Sequence, residues 1–258
     1  MVHLVVEPKV ASGVGVSLEG VVRTFGGKPV LDGVDVIVPA AGRVGIVGRS
    51  GAGKSTLLSL VAGLDDPDGG EINVGGAARA KDRLARCALM PQRDCLLPWR
   101  TALDNAALAL ENAGIRRREA RRRAAPLFAR LGLAGAEHLR PAKLSGGMRQ
   151  RVAFLRTLLT GKAVLLLDEP FGALDAITRA ELQEWLGAVL AAEPKTVLLV
   201  THDVEEALLL CDRVLVLADG RVAAELEVDV RRGGAPRREL VTSQAFLELR
   251  ERALEAIG

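Results

Sequence analysis

Short, uninterrupted apolar runs punctuate the chain at Val44-Gly45-Ile46-Val47, Val164-Leu165-Leu166-Leu167 and Val197-Leu198-Leu199-Val200, and a fourth follows at Val214-Leu215-Val216-Leu217. Runs of this length without polar alternation predict strands buried on both faces, as in a parallel sheet covered by helices. Between them the period lengthens to that of a helix. Lys54 to Ala62, stopped by Gly63, is one such stretch; Ala176 to Ala192, with Leu182, Trp185, Leu186, Val189 and Leu190 on one stripe, is another. The opening differs: β-like runs at Val16 to Val22 and Val34 to Val38, separated by Gly26-Gly27-Lys28-Pro29, predict an antiparallel sheet beside the core. From Gln92 to Leu159 the pattern reads as almost wholly helical, an inserted lobe. After Gly220 a polar stretch, 231–238, leads to a last helix with Phe246, Leu249, Ala253 and Ile257 on one face.

The expected architecture is α/β: a parallel-sheet core with an antiparallel β subdomain at 1–91 and 160–225, a helical insert at 92–159, and a tail at 226–258. No repeat or long low-complexity tract interrupts it.

Composition alters this picture little. With 49% hydrophobic and 26% charged residues in 258, the chain can bury a sizeable core. No apolar run approaches the ~18 residues of a membrane helix. The start, through Glu7 and Lys9, lacks a basic leader with a long apolar stretch, so a cytoplasmic protein is expected. Cys87, Cys95 and Cys211, with His3, His138 and His202, are too few and too scattered for a disulfide frame or a zinc cluster, and predict reduced, mostly buried thiols. The net charge is +3, yet arginines crowd Arg116 to Arg123. Ala120, Ala124, Leu127, Phe128 and Leu131 recur at helical spacing there, which puts most arginines on a solvated face. No aromatic residue interleaves them for base stacking, so a nucleic-acid partner is not expected.

Chemistry enters with Gly48-Arg49-Ser50-Gly51-Ala52-Gly53-Lys54-Ser55-Thr56, a phosphate-binding P-loop set between a buried strand and a helix. Its glycines let backbone N–H groups face an anion, and the following helix adds a partial positive charge. Lys54 is expected at the β- and γ-phosphates of ATP and Ser55 at Mg²⁺. Leu165-Leu166-Leu167-Asp168-Glu169 ends another buried strand, where Asp168 can support Mg²⁺ and Glu169 can polarise the attacking water. His202 closes the next strand and can sense a γ-phosphate, with Asp203 and Glu206 starting a helix behind it. Gln92 falls where core gives way to insert, within reach of Mg²⁺ or the water. Leu144-Ser145-Gly146-Gly147-Met148 opens a second anion-binding helix end, a spare one that points to service for the nucleotide of another copy; an ordinary serine cap is its plain alternative.

Taken together these strings, in this order, resemble the ATP-binding cassette (ABC) ATPases, the nucleotide-binding subunits of ABC transporters, over Val16 to Val222. The resemblance implies a P-loop NTPase of RecA-like fold, ATP and Mg²⁺ as cofactors, Phe25 stacked on adenine, and an Ala173-Leu174-Asp175 loop. It further implies a homodimer with two ATP sandwiched head to tail, each between one P-loop and the other copy's Ser145 to Met148. Met148 replaces the family's usual glutamine, a change that leaves Ser145 and the backbone donors in place. Leu96-Leu97-Pro98-Trp99, Asp104-Asn105 and the segments around Asp168 and His202 are similar to the nitrate, sulfonate and taurine importer group, which also includes pyrimidine-precursor uptake systems. That implies a membrane permease contacting Leu96, Leu97 and Trp99, and an extracytoplasmic solute-binding protein. A non-transport ABC ATPase acting on nucleic acid or the ribosome is the alternative, though such relatives usually bring a long coiled coil or a second cassette.

Overall fold

A computed structural model describes residues 14–172, 174–192, 195–229 and 237–258. Residues 1–13, Ala173, 193–194 and the segment 230–236 of the arginine-rich stretch lie outside the described residues.

All four apolar runs are strands of one six-stranded sheet. In chain order its members are β3 (Arg43–Val47), β5 (Cys87–Met90), β6 (Val164–Asp168), β7 (Thr196–Thr201), β8 (Arg213–Ala218) and β9 (Arg221–Glu227). They lie in the order β5-β6-β7-β3-β8-β9, parallel except for the β8–β9 hairpin. Every residue of β7 is buried, as its lack of polar alternation requires. The hairpin strand β9 alternates buried and exposed positions only weakly, and β5 is four residues long, which is why neither stood out in the sequence.

The opening segment forms a separate antiparallel sheet, β2 (Lys28–Val38) and β4 (Gly69–Val74) flanking β1 (Val16–Phe25). Its inward residues Leu18, Val21, Leu31 and Val34 share an apolar cluster with Leu57, Leu58 and Val61 of α1 (Lys54–Ala62) and with Ile46 of β3. Gly63 ends α1 at φ 73°, the left-handed conformation that glycine adopts without strain. The short α2 (Ala80–Arg86) follows β4.

Between β5 and β6 stand α3 (Ala102–Asn112), α4 (Arg117–Arg130) and α5 (Gly146–Leu158). The stretch is less helical than its apolar spacing predicts, since 92–101 form an irregular loop. Polar side chains satisfy that loop's backbone at long range. Asn105 Oδ1 accepts from Leu97 N–H at 2.7 Å, and Arg156 donates to the Cys95 and Asp94 carbonyls at 2.7 Å each. The helices' apolar cluster is continuous with the sheet: it runs from Phe128 and Phe154 to Leu165 and Leu167 of β6 and to Leu182 of α6 (Ala176–Ala192).

The arginines of α4 do face outward, with Ala120, Ala124, Leu127 and Phe128 buried beneath them. Two are more than solvated charge: Arg117 and Arg121 pair with the buried Asp104 at 3.0 and 3.4 Å. Burial raises the Asp104 pKa, but the Arg117 and Thr101 hydrogen bonds and the Arg121 charge outweigh it and leave the carboxyl below its ordinary range. Of the thiols, Cys87 and Cys211 are buried and Cys95 is exposed. After β7 come α7 (Val204–Leu210), then α8 (Arg237–Val241) and α9 (Gln244–Ile257). Phe246 and Ala253 of α9 are buried against α7 and β8, with Leu249 and Ile257 packed beside them. No helix among the described residues is long and apolar enough to cross a membrane.

Candidate active site

In open α/β sheets, ligands bind beyond the carboxyl ends of the strands, where the chain order reverses. That point here is β3, the strand between β7 and β8. Gly48 follows it, so close to β8 that a Cβ would stand 2.2 Å from the Leu217 carbonyl oxygen; no other residue fits. Gly53 has φ 96° and lies against Val30 and Leu31 of β2, which ties the loop to the hairpin carrying Phe25. Lys54 is 5% exposed, and its Nζ donates to the carbonyls of Gly48 and Arg49 at 2.8 and 2.9 Å. Burial lowers its pKa, against the pull of the Glu169 and Asp168 charges. The loop is thus a ring closed on its own lysine, with Ser50, Gly51 and Ala52 on the rim of a cavity of about 590 Å³ shared with Pro29, Gly220 and Ile257. Arg49 is exposed and donates to the Gly258 carbonyl; Ser55 and Thr56 open α1 just inside.

Ser55 Oγ donates to Asp168 Oδ1 at 3.1 Å, joining the end of the P-loop to the end of β6. Burial pushes the Asp168 pKa up; the Ser55 hydrogen bond and Lys54 oppose it, and Glu169 adds to it. Glu169 adopts φ 43°, rare for a non-glycine residue, and its N–H donates to the Val200 carbonyl at 2.8 Å. That twist gives the two neighbouring carboxylates different partners. Gln92 Nε2 donates to Glu169 Oε2 at 2.9 Å, and His202 Nδ1 lies 3.3 Å from Glu169 Oε1. Residues just past β5, β6 and β7 therefore converge on one carboxylate.

Ser145 caps α5, its Oγ accepting from Met148 N–H at 3.2 Å. Gly146 and Gly147 lie against Leu174 and Thr178, where a Cβ on Gly147 would stand 2.7 Å from the Thr178 methyl. Asp175, exposed, accepts from Thr178 N–H at 3.0 Å, and this backbone bond holds its carboxyl below the ordinary range. Among the described residues, no hydrogen bond or ion pair joins Ser145–Met148 to the P-loop. Phe25 is 50% exposed, with the Arg23 guanidinium 4.9 Å from its ring centre.

A profile of the ABC transporter family matches residues 31–172. The chain belongs to that family. It is 47% identical over 225 residues to an aliphatic sulfonates import ATP-binding protein of Pseudomonas entomophila (strain L48), covering 87% of this chain and 81% of that protein. Its fold matches the dimeric structure of a bacterial ABC transporter cassette with TM-score 0.74 and 30% identity, over 83% of this chain and 98% of that one. A post-hydrolysis state of the same cassette, bound to ADP and Pi, matches with TM-score 0.73, the same identity and the same coverage. This ABC subunit binds ATP and is an ATPase.

The structure of this ABC ATPase also brings in residues that no motif marked. Gln150, 7% exposed on α5, donates to the Pro170 carbonyl at 2.6 Å, fastening the Ser145 helix to the residue after Glu169. Arg23 is gripped by Asp65 and Asp68 at 2.6 and 2.9 Å. Its partners lie some 40 residues on, so neither spacing nor composition could have flagged it. In the Cys95–Trp99 segment, Leu96 is 8% exposed and joins the helical core, Leu97 is half-buried, and Trp99 is 68% exposed. Leu96 is therefore core packing, and the outward apolar group is Trp99.

Proposed function

We propose that this chain is the ATP-hydrolysing subunit of an importer for an organosulfonate or a chemically similar small anion, working as a homodimer on the cytoplasmic face of the cell membrane beneath a permease. The observation that carries the catalytic part is the convergence of Gln92 and His202 on Glu169, beside the Ser55–Asp168 pair. Sulfonate is favoured because it is the solute in the name of the relative from Pseudomonas entomophila.

In this reading the P-loop N–H groups of Gly48 to Thr56 cradle the phosphates and Lys54 turns from its own loop carbonyls toward the β- and γ-oxygens. The residues present fit Mg²⁺: Ser55 Oγ and Asp168 are a hydroxyl and carboxylate pair 3.1 Å apart, hard oxygen donors of the kind magnesium takes, with the Gln92 amide nearby. Bound there, it would supply positive charge against the negative charge that develops in phosphoryl transfer. Glu169 orients and deprotonates the attacking water, and His202 contacts the γ-phosphate from the other side. Phe25 offers its face to adenine. Ser145, Gly146, Gly147 and Met148 present backbone donors to the partner's γ-phosphate, and Asp175 lies at the same interface. Leu97 and Trp99 seat a short cytoplasmic helix of the permease, with Leu96 supporting them from within. An extracytoplasmic solute-binding protein delivers the solute. In this reading the chain divides into a nucleotide-binding core (1–91 and 160–225), a helical insert (92–159) and a tail (226–258).

The test is phosphate release from ATP by the purified subunit with Mg²⁺ or EDTA, then sulfonate uptake into vesicles containing it and the permease encoded beside it. Mg²⁺-dependent release and ATP-dependent uptake are expected. Release that persists in EDTA, or release stimulated by nucleic acid in place of the permease, would overturn the proposal.

A further inference from the structure

Among the described residues Glu206 and the arginine-paired Asp104 are the buried carboxylates that the catalytic reading leaves without a task, and Glu206 makes no ion pair. It is 2% exposed, on the first turn of α7, directly behind the strand end that carries His202. A capping box would send its side chain back to the Asp203 N–H. The structure does something else. Thr201 Oγ1, itself 1% exposed, accepts from Asp203 N–H at 3.0 Å and donates to Glu206 Oε2 at 2.9 Å, while Asp203 Oδ1 accepts from the N–H groups of Glu205 and Glu206. A closed ring of hydrogen bonds therefore runs from Thr201 to Asp203 to α7 and back through Glu206. His202 lies within the ring without taking part in it, and its imidazole faces Glu169 at 3.3 Å. The other oxygen, Glu206 Oε1, is buried without a partner.

From this arrangement we infer that Glu206 and Thr201 are positioning residues for His202: the buried Glu206 carboxyl locks the Thr201 hydroxyl, and the locked hydroxyl fixes the turn that aims the imidazole. The inference rests on the reading of His202 as a γ-phosphate contact. The Thr201 O–H donates into Glu206 Oε2, a bond that an acid or a carboxylate can accept. Burial pushes the Glu206 pKa up to about 8, with Asp203 and Glu169 adding to it and the Thr201 hydrogen bond and Arg179 of α6 opposing. Arg250 of α9, the remaining cation at this corner, is taken up by Glu205 at 3.1 Å. An ionised Glu206 would place a negative charge beneath a turn that already holds Asp203 and Glu169.

The experiment measures kcat and KM for MgATP from pH 6 to 9 on the full chain, with melting temperatures, for wild type, Thr201→Val, Glu206→Gln and His202→Ala. Val keeps the shape of Thr201 without the hydroxyl; Gln keeps the acceptor and stays neutral. Expected for Thr201→Val is a fall in kcat of about tenfold or more with KM for ATP unchanged, since small misplacements of a catalytic group cost up to about 10²-fold. Glu206→Gln, which still accepts the Thr201 O–H, should keep kcat near wild type across this pH range. A Thr201→Val protein with wild-type kcat, beside an impaired His202→Ala, would reduce the ring to helix capping and overturn the inference. A Glu206→Gln protein whose kcat falls as far as that of Thr201→Val would do the same. Wild-type kcat in His202→Ala would instead overturn the reading of His202 itself.

Discussion

Gln92 Nε2 donates to Glu169 Oε2 at 2.9 Å, joining two residues that are 77 apart in sequence and lie just past the ends of neighbouring parallel strands. With His202 Nδ1 on the other carboxylate oxygen, Glu169 is held from both sides and aimed by its own strained backbone. Glu169→Gln keeps the shape and removes the base. Nucleotide binding should persist while phosphate release slows by about 10²-fold or more, the usual contribution of a positioned base. Fluorescent-nucleotide titration and single-turnover phosphate release separate the two effects; an undiminished rate would remove Glu169 from the chemistry.

Asp168 carries a cost that its function explains. Its folded pKa lies above the ordinary aspartate value because of burial, so the ionised form opposes folding at neutral pH and the opposition vanishes below the aspartate range. Asp168→Asn keeps an acceptor for Ser55 and removes the charge. The variant should melt higher than wild type at pH 7, with the gap closing as pH falls through the raised Asp168 pKa toward the ordinary aspartate range, and should lose Mg²⁺-dependent turnover. Scanning calorimetry from pH 4 to 7 checks the sign; a variant that melts lower at pH 7 would show that the carboxylate is stabilising.

Among the described residues the Ser145 helix end makes no hydrogen bond or ion pair with its own P-loop, and in the proposed homodimer it faces the nucleotide of the other copy. In the Glu169→Gln background the chain should elute as a dimer with ATP and as a monomer without it. Adding Ser145→Arg, which puts a long cation where a γ-phosphate must dock, should abolish the shift. Size exclusion with light scattering decides, and a dimer indifferent to Ser145→Arg would move the interface elsewhere.

Leu96 and Trp99, three residues apart, should separate stability from coupling. Truncating the buried Leu96 to Ala should cost about 2–3 kcal/mol of stability, from lost burial and the cavity left behind. Trp99→Ala should change stability by less than about 0.5 kcal/mol, as exposed substitutions do, leave the basal ATPase intact, and cost on the order of 2 kcal/mol of permease affinity. Uptake in reconstituted vesicles, read beside melting temperature, is the check. Joint loss of melting temperature and uptake in Trp99→Ala would make the ring a packing element.

Much of the core was legible because its signals are local. A four-residue apolar run needs no partner to announce a two-face-buried strand, and Gly53-Lys54-Ser55 after such a run can do little but start a phosphate-binding helix. The loop at 92–101 was misjudged for the opposite reason: its backbone is satisfied by Asn105 and by Arg156, the latter 61 and 62 residues away, so local apolar spacing carried no sign of it. The double role of Arg117 and Arg121 was hidden likewise, since helical periodicity separates a buried face from a solvated one and cannot see Asp104 waiting across from α3.

By itself, then, the sequence determined the four central buried strands, which loop takes phosphate, and which family the chain resembles, all consequences of period, turn chemistry and short-range order. Tertiary structure alone decided that Gln92 and His202 share Glu169, that Thr201 stands between Asp203 and Glu206, and that of two neighbouring apolar residues Leu96 is core and Trp99 surface. Those outcomes depend on how strands with distant sequence positions are ordered in the sheet, and on which buried polar atoms find partners once water is excluded.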